Sequence, residues 1–593
     1  MPLYRPTLAK ACPRREEARN NRKLTLALGL YGLLLSSGTF RPKLLRFFFL
    51  AAPLVISLLA GTPAHAQDKT AEIDKIFSAI TPSTPGCVCA VSKDGKLVAN
   101  RAYGLADVEK NIPLTPGTTF DIGSVRKQFI AAAVLLLVED KRLSLTDDVR
   151  KYFPALPNYG RTLTVDHMLT HTSGLRDWTG ILPMTDGNTD VLTLILRQQG
   201  LNFAPGEEWA YSNSGYVLLA EMVARVSGMP FAEFAQKRLF GPLGMKSTAY
   251  VSDILQGTGD RAIGYQKDGA GWKQYMRLGN ERGGGAIIST AEDLLAWNNA
   301  LASGKLGAFV TAKLQEPATL NNGRKLTYAR GLNVNDYPGA KLVSHSGGAA
   351  GYSAWLGGLP EHGLSVAVLC NFDPVSATEL AHKVADQFLP PDTARAKGPA
   401  TTVKGIDVPA ADLATRAGLY FSEATGEPLR LGVANGRLSI GGGPALVPVA
   451  ANRFRNPRGS LFFRSGDEFE LHFTSPDAFE LKSMEGQVTR YSRAQPPAYN
   501  EADLQAFAGR YQSEDLGSVF EIVPGTNALV MRFERAPEKA IELAPAAPDT
   551  WMRSMMVVRF RRDAGGKITG FVYSNPVARN ISFTRLGDRS SQP

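Results

Sequence analysis

The sequence predicts an α+β fold, an antiparallel sheet flanked by helices, followed by two small antiparallel β-barrel domains. Three observations carry this. Between about residues 70 and 390, alternating strand patterns lie at both ends with helical patterns between them. After Leu389-Pro-Pro391 the chain changes character, and from about Val403 it is nearly all short strands and turns. Within that tail, Asp412-Leu-Ala-Thr-Arg-Ala-Gly-Leu-Tyr420 followed by Ser422-Glu423 returns as Asp503-Leu-Gln-Ala-Phe-Ala-Gly-Arg-Tyr511 followed by Ser513-Glu514, an offset of 91. Two such repeats, separated by Gln495-Pro-Pro497, read as two similar barrels rather than one long β-domain with a chance match.

At 593 residues the chain exceeds a single core. We place a targeting segment at 1–66, the α+β domain at 67–395, and the barrels at 403–495 and 498–590. The net charge of +11 resembles a nucleic-acid signal until it is located. Residues 1–66 hold ten Lys or Arg against two acids, which leaves +3 for the rest and no basic stripe for a phosphate backbone. Within that segment Arg41-Pro-Lys43-Leu-Leu-Arg46 precedes the apolar run Phe47 to Ala60, and Ala64-His65-Ala66 supplies a small-x-small cleavage site before Gln67. Export, to the periplasm or the medium, is the expected fate, with membrane association only if the segment stays uncut. The earlier apolar stretch Leu24 to Gly38 leaves two readings open, a true start downstream of Met1 or an uncut anchor formed with the second run.

Taken in order, a short helix over Thr70 to Ile80 leads to strands Cys87 to Ser92 and Leu97 to Tyr103, joined through Asp94-Gly95, a strong hairpin pair. A long apolar helix opens at Ser124, and Leu143-Ser-Leu-Thr-Asp-Asp148 caps a further helical segment. Val165 to Gln199 reads as helix broken by His171-Thr-Ser-Gly174, and Phe203 to Asn213 is a loop entering a helix at Gly215 to Val226. Gly283-Gly-Gly285 to Thr290 turns into a strand before the helix Ala291 to Ala302. Strands Lys341 to Ser344, Ser353 to Gly357 and Leu364 to Leu369 follow, and the helix Ala377 to Phe388 closes the domain. Cys87 and Cys89 alternate on one strand and Cys370 ends another, which brings a pair between neighbouring strands within reach without deciding it. Two thiols two residues apart with no His or Cys cluster make no metal site, and none of the seven histidines sits in His-Glu-x-x-His. No metal or other cofactor is expected.

Chemistry enters at Ser124-Val-Arg-Lys127, the chain's only Ser-x-x-Lys. Positions i and i+3 share a helix face, so hydroxyl and amine can meet there. The run Gln128 to Val138 is almost all apolar or small, which buries the helix and leaves Lys127 at its wet end. Burial favours a neutral amine, and a neutral amine can take a proton from a serine. Backbone N–H groups at the helix start face any anion formed on a substrate. Ser124 therefore reads as a nucleophile and Lys127 as its partner, although Ser-x-x-Lys alone fits a helix-initial Ser with a surface Lys equally well. Tyr211-Ser212-Asn213 adds a phenol and an amide at a helix entrance, and a phenol near ammonium groups can titrate low enough to act as a base. Read alone it is a core Tyr before a capping Asn, and Tyr573-Ser-Asn575 repeats its letters with no role assigned. His345-Ser346-Gly347-Gly348 ends a strand with small residues. Either a substrate backbone lies along that edge with the Gly348 N–H aimed at an oxyanion, or the segment is a tight turn with a solvated His.

The order and spacing of Ser124-x-x-Lys127, Tyr211-x-Asn213 and His345-x-Gly347 resemble the serine β-lactamase and penicillin-binding protein family, in particular its branch of class C β-lactamases, DD-carboxypeptidases, D-aminopeptidases and related esterases. Leu169-Thr-His-Thr-Ser-Gly-Leu175, Phe203-x-Pro-Gly206 and Gly284-Gly-x-x-x-Ser-Thr-Ala-x-Asp293-Leu are similar to the family's supporting segments, and the likeness runs from about Thr70 to Pro390. The resemblance implies a β-lactamase-like fold for the α+β domain and an acyl-enzyme on Ser124, with Lys127 and Tyr211 handling its proton. It implies Asn213 on the substrate amide and the N–H groups of Ser124 and Gly348 as an oxyanion hole. His345 stands where β-lactamases of the family usually carry Lys, and a His is charged only part of the time near neutral pH, which counts against efficient β-lactam hydrolysis. A catalytic domain followed by two similar barrels resembles the three-domain layout of D-aminopeptidases. The chain has no Gly-x-Ser-x-Gly elbow, so an α/β-hydrolase reading has no motif to stand on.

The expectation is an exported serine acyl hydrolase acting on amides of D-amino acid peptides, of D-aminopeptidase or DD-carboxypeptidase type. Its partners would be small peptide or ester substrates, peptidoglycan fragments among them, and not nucleic acid. The alternatives are a carboxylesterase or weak β-lactamase of the same family, or a non-catalytic wall-binding protein that keeps the pocket.

Overall fold

The computed structural model describes residues 69–587 except 186–188, 252–259, 277–284, 338, 391–404, 435, 441–444, 457–468 and 484–487. The N-terminal apolar runs, Gly283, Gly284 and the expected boundary before the first barrel lie outside the described residues.

One antiparallel sheet organises the α+β domain. Its strands in chain order are β1 (Cys87–Lys93), β2 (Lys96–Tyr103), β3 (Asn333–Tyr337), β4 (Ala340–Ala349), β5 (Tyr352–Leu359) and β6 (Leu364–Cys370), arranged β3-β4-β5-β6-β1-β2. The β1–β2 turn has positive φ at Asp94 (51°) and Gly95 (76°), the pairing a two-residue hairpin of this twist requires. The flanking helices are α1 (Thr70–Ile76), α2 (Lys127–Glu139), α3 (Asn213–Ser227), α4 (Ala291–Ala302) and α5 (Ala377–Asp386).

Side chains of β1 and β6 alternate between two cores. Val88, Ala90, Ala367 and Leu369 join the core of α2, α3 and α4, whereas Cys87, Cys89, Val91, Val366 and Val368 join that of α1 and α5. Because both faces are covered, these strands read in sequence as unbroken apolar runs. Strand β3 has a partly exposed pattern at the sheet edge, and its polar Asn333-Val-Asn-Asp-Tyr337 gave no signal in the sequence. Cys87 and Cys370 stand opposite each other in the β1–β6 register and form a disulfide across 283 residues of chain, while Cys89 is free and buried.

Beyond this domain the repeat is visible in the backbone. Helices α6 (Ala410–Arg416) and α7 (Glu501–Phe507) each precede a strand, Gly418–Ser422 and Gly509–Ser513. In each copy a buried tyrosine hydroxyl donates back to its helix, Tyr420 to Arg416 O at 2.9 Å and Tyr511 to Phe507 O at 2.8 Å. The first copy is an eight-stranded sheet whose edge strands, Arg437–Ile440 and Val447–Ala450, are brought together by a Ser439–Ala445 bridge. The second closes fully, Gly509–Ser513 pairing with Ala578–Arg585. Aromatic side chains fill its interior, among them Tyr511, Phe520, Phe560, Phe571 and Phe583.

The second barrel shares its core with the α+β domain through Ile181, Met184 and Leu194. Beside this contact Arg176 is buried and clasped on all sides. Its Nε donates to Arg579 O at 2.8 Å, Nη2 to Asn580 O at 2.8 Å, and Nη1 pairs with Asp515 Oδ2 at 2.8 Å. The residue matching Asp515 in the first repeat is Ala424, so only the second copy carries this anchor. Arg579 in turn lies 2.7 Å from Glu427 of the first barrel and 3.3 Å from Glu208 of the α+β domain. Tyr573-Ser-Asn575, given no role from sequence, belongs to the same interface: Tyr573 Oη and Asn575 Nδ2 both donate to Gly180 O, at 3.2 and 2.7 Å. Arg176→Ala leaves the Asp515 carboxylate buried and unpaired. It is expected to lower unfolding free energy by about 3–5 kcal/mol in a urea titration, against no more than about 1 kcal/mol for exposed Arg490→Ala.

Candidate active site

Ser124 lies in a 3₁₀ turn, Gly123–Arg126, that runs directly into α2 at Lys127. Residues three apart eclipse in this tighter winding, and Lys127 Nζ donates to Ser124 Oγ at 3.2 Å. Lys127 is entirely buried, not at a wet helix end as the sequence suggests. Its Nζ also donates to Asn213 Oδ1 at 2.8 Å and stands 4.5 Å from the centre of the Tyr211 ring.

Asn213 opens α3, which Ser212 caps by accepting from Gly215 N. The tripeptide Arg176-Asp177-Trp178 fastens this helix start. Asp177 Oδ2 accepts from Asn213 N, Ser214 Oγ donates to Arg176 O at 2.7 Å, and Trp178 N donates to Ser214 Oγ at 2.9 Å. On its other side Asp177 N donates to Val577 O of the second barrel at 2.9 Å. The barrel hairpin is thus one residue removed from the bond that holds Asn213.

His171 holds the loop carrying Tyr211. Ala210 N donates to its carbonyl at 3.0 Å, Ser212 N donates to its Nδ1 at 3.1 Å, and its ring lies 4.3 Å from that of Tyr211. To do so it adopts φ of 60°, a left-handed conformation unfavourable for a residue with a Cβ. Burial pushes the Tyr211 phenol well above its ordinary value, and the Ser124 hydroxyl and Arg126, which act the other way, only partly offset this. The depressed phenol anticipated from nearby ammonium groups is therefore not what the site holds; resting Tyr211 is neutral.

His345 lies in β4, its ring 6.3 Å from that of Tyr211. Its Nδ1 donates to Ser346 O at 2.6 Å, and Nε2 meets Tyr328 Oη at 3.0 Å. Burial, reinforced by the Lys127 charge, brings it down to about 3, so it is neutral near pH 7 rather than partly charged. The glycines after it are needed for approach. A Cβ on Gly347 would collide with Ile122 O and sit 3.1 Å from Ser124 N, and one on Gly123 would sit 2.7 Å from Gly348 N. A Cβ on Gly348 would meet open space, which marks the cleft side of the strand edge.

Ser124, Lys127, Tyr211, Asn213, His345, Gly347 and Gly348 thus converge on one place. Sequence reasoning missed Asp177 and Tyr328, which sit in no motif. It met His171 only in the break of a helical run and inside a family-like segment, where a His between small residues was the available signal. A histidine lowered on folding binds fewer protons in the native than in the unfolded state between about pH 6.5 and its native value. Stability is then complete above about pH 6.5 and falls as the pH drops. For His345 the loss at pH 5 is about 2 kcal/mol, read as a lower urea midpoint than at pH 7, and His345→Asn should shrink the difference.

Comparison with known proteins shows the family of the α+β domain. The family model described as Beta-lactamase matches residues 73–388. The D-aminopeptidase of Brucella anthropi is 26% identical over 527 residues, covering 85% of this chain and 95% of that protein. A penicillin-binding protein of Bacillus subtilis is 29% identical over 352 residues, covering 54% of this chain and 76% of its own. Among solved structures, the octameric penicillin-binding protein homologue from Pyrococcus abyssi aligns with a TM-score of 0.49 and 22% identity, over 79% of this chain and 98% of that one. The family match takes in more than half of the 593 residues, and the protein belongs to the Beta-lactamase family as a serine hydrolase.

Proposed function

We propose that the protein is an exported D-aminopeptidase-type hydrolase that cleaves amides of D-amino acids, on small peptides or wall fragments, through an acyl-enzyme on Ser124. The observation that carries this is a wholly buried Lys127 amine 3.2 Å from the Ser124 hydroxyl and 2.8 Å from Asn213 Oδ1. Lys127 in its unprotonated form, its lone pair turned to the Ser124 hydroxyl, takes the Ser124 proton as Oγ attacks the carbonyl carbon, while the N–H groups of Ser124 and Gly348 receive the oxyanion. Tyr211, neutral at rest, gives its proton to the departing amine and regains one from Lys127. Water then cleaves the ester by the reverse transfers, and Asn213 holds the substrate amide throughout.

Neutral His345 supplies no fixed cation for a β-lactam carboxylate, which counts against a β-lactamase. The likeness to a D-aminopeptidase through both barrels supports the aminopeptidase reading. The Cys87–Cys370 disulfide fits an oxidising compartment, in keeping with the expected leader at 1–66. The test is kinetics on D-Ala-p-nitroanilide, acetyl-D-Ala-D-Ala, nitrocefin and p-nitrophenyl butyrate. The anilide should be the best substrate, and Ser124→Ala should lower its kcat/KM by roughly 10³-fold or more. Preference for acetyl-D-Ala-D-Ala would make it a carboxypeptidase, and a folded protein with no Ser124 adduct after a fluorophosphonate would make it a binding protein.

A further inference from the structure

Asp177 is 1% exposed, and each of its side-chain partners is a neutral N–H or O–H group. Oδ1 accepts from Thr179 N at 2.8 Å and from Thr179 Oγ1 at 2.6 Å, and Oδ2 accepts from Asn213 N. A buried carboxylate is unfavourable unless its oxygens are met, and capping α3 does not call for one, because the Ser212 hydroxyl already caps it. What the carboxylate adds is a second acceptor. Oδ1 caps the single helical turn Trp178–Ile181, and Oδ2 crosses to the first N–H of α3. One side chain thus joins two helix starts, and the second carries Asn213, whose Oδ1 accepts from the Lys127 amine at 2.8 Å. The first start is held from the second barrel. Asn575 Oδ1 accepts from Val577 N and Ala578 N at 3.0 and 2.8 Å, which folds that hairpin, and its Nδ2 donates to Gly180 O at 2.7 Å. Val577 O then accepts from Asp177 N at 2.9 Å. The approach is close enough that a Cβ on Gly180 would sit 2.5 Å from Val577 Cγ2 and 2.8 Å from Asn575 Oδ1.

We propose that Asp177 is a positioning residue for Asn213 and, through it, for Lys127, and that Asn575 supports it from the second barrel. The route runs from Asn575 through Val577 O to Asp177, and from its carboxylate to Asn213 N, so neither residue has to touch substrate. This rests on the hydrolase reading above and adds the residues that keep its amine and its amide in register. Moving Asn213 acts twice, since the same side chain orients Lys127 beside Ser124 Oγ and meets the substrate amide. A misplacement of about 1 Å at such a group costs about a hundredfold in rate.

The test is the second-order rate of Ser124 labelling by a fluorophosphonate, with kcat and KM on D-Ala-p-nitroanilide, in the full chain. The variants are Asp177→Asn, Asn575→Ala and the two combined, each assayed where circular dichroism shows it folded. Asp177→Asn keeps the side chain's shape but loses its charge and one acceptor, and should lower labelling and kcat about ten- to a hundredfold. Asn575→Ala should lower both about three- to tenfold. Because it acts through the same carboxylate, the double variant should match Asp177→Asn within about twofold. Tyr420→Phe removes a hydrogen bond from the first barrel, away from this route, and should label at the wild-type rate; equal slowing there would make the effect one of stability and overturn the proposal. Wild-type rates in a folded Asp177→Asn overturn it, as do wild-type rates in Asn575→Ala, which decides the matter alone should Asp177→Asn not fold. A double variant slowed by the product of the two losses also overturns it. Labelling needs no D-amino acid, so a wild type that labels but ignores the anilide overturns only the D-aminopeptidase reading. A folded wild type that takes no label overturns both.

Discussion

An amine with no access to water is the constraint on which the rest of this site depends. Lys127 begins an apolar helix and is wholly enclosed, so whatever solvates its nitrogen must be supplied by the protein. The oxygens of Ser124 and Asn213 do so, with the Tyr211 and Tyr216 ring faces 4.5 and 5.4 Å from the nitrogen. The groups read as nucleophile and amide clamp are therefore also the groups that make burial of the amine tolerable. Site and core are continuous, and this explains why residues 86 positions apart in sequence are held in one hydrogen-bonded set.

Much of this was legible beforehand because it rests on local rules. Short apolar and alternating runs bounded by turn residues located β1, β2, β4, β5 and β6, the Asp94-Gly95 pair fixed the first hairpin, and the repeat announced two barrels. Ser124 and Lys127 were legible because three-residue spacing suffices to bring them together. What escaped was long-range. Lys127 was expected at the wet end of its helix because nothing local reveals that α3 and β4 close over it. Tyr211 was expected to titrate low because the neighbouring charges could be guessed but the burial could not, and burial is the larger effect. Tyr328 reaches His171 and His345 across 157 and 17 residues, with no spacing that signals either contact.

The tail is more than an appendage. Asp177 faces both ways, giving its carboxylate to Asn213 N and its own N–H to Val577 O, so the second barrel bears on the start of α3 through this residue and the adjacent Arg176. The two copies have diverged where it matters for this: Asp515 in one is Ala424 in the other. Tyr573-Ser-Asn575, a verbal echo of Tyr211-Ser212-Asn213, turns out to grip Gly180, where an added Cβ would strike Val577 and Asn575.

Arg579 belongs to one barrel by sequence and touches acids in both other bodies, Glu427 and Glu208, the latter three residues before Tyr211. A side chain shared three ways cannot be released from one neighbour without loosening its hold on the others. Heat or denaturant would then meet a single cooperative unit rather than beads melting in succession, with the chemistry lost in that same transition.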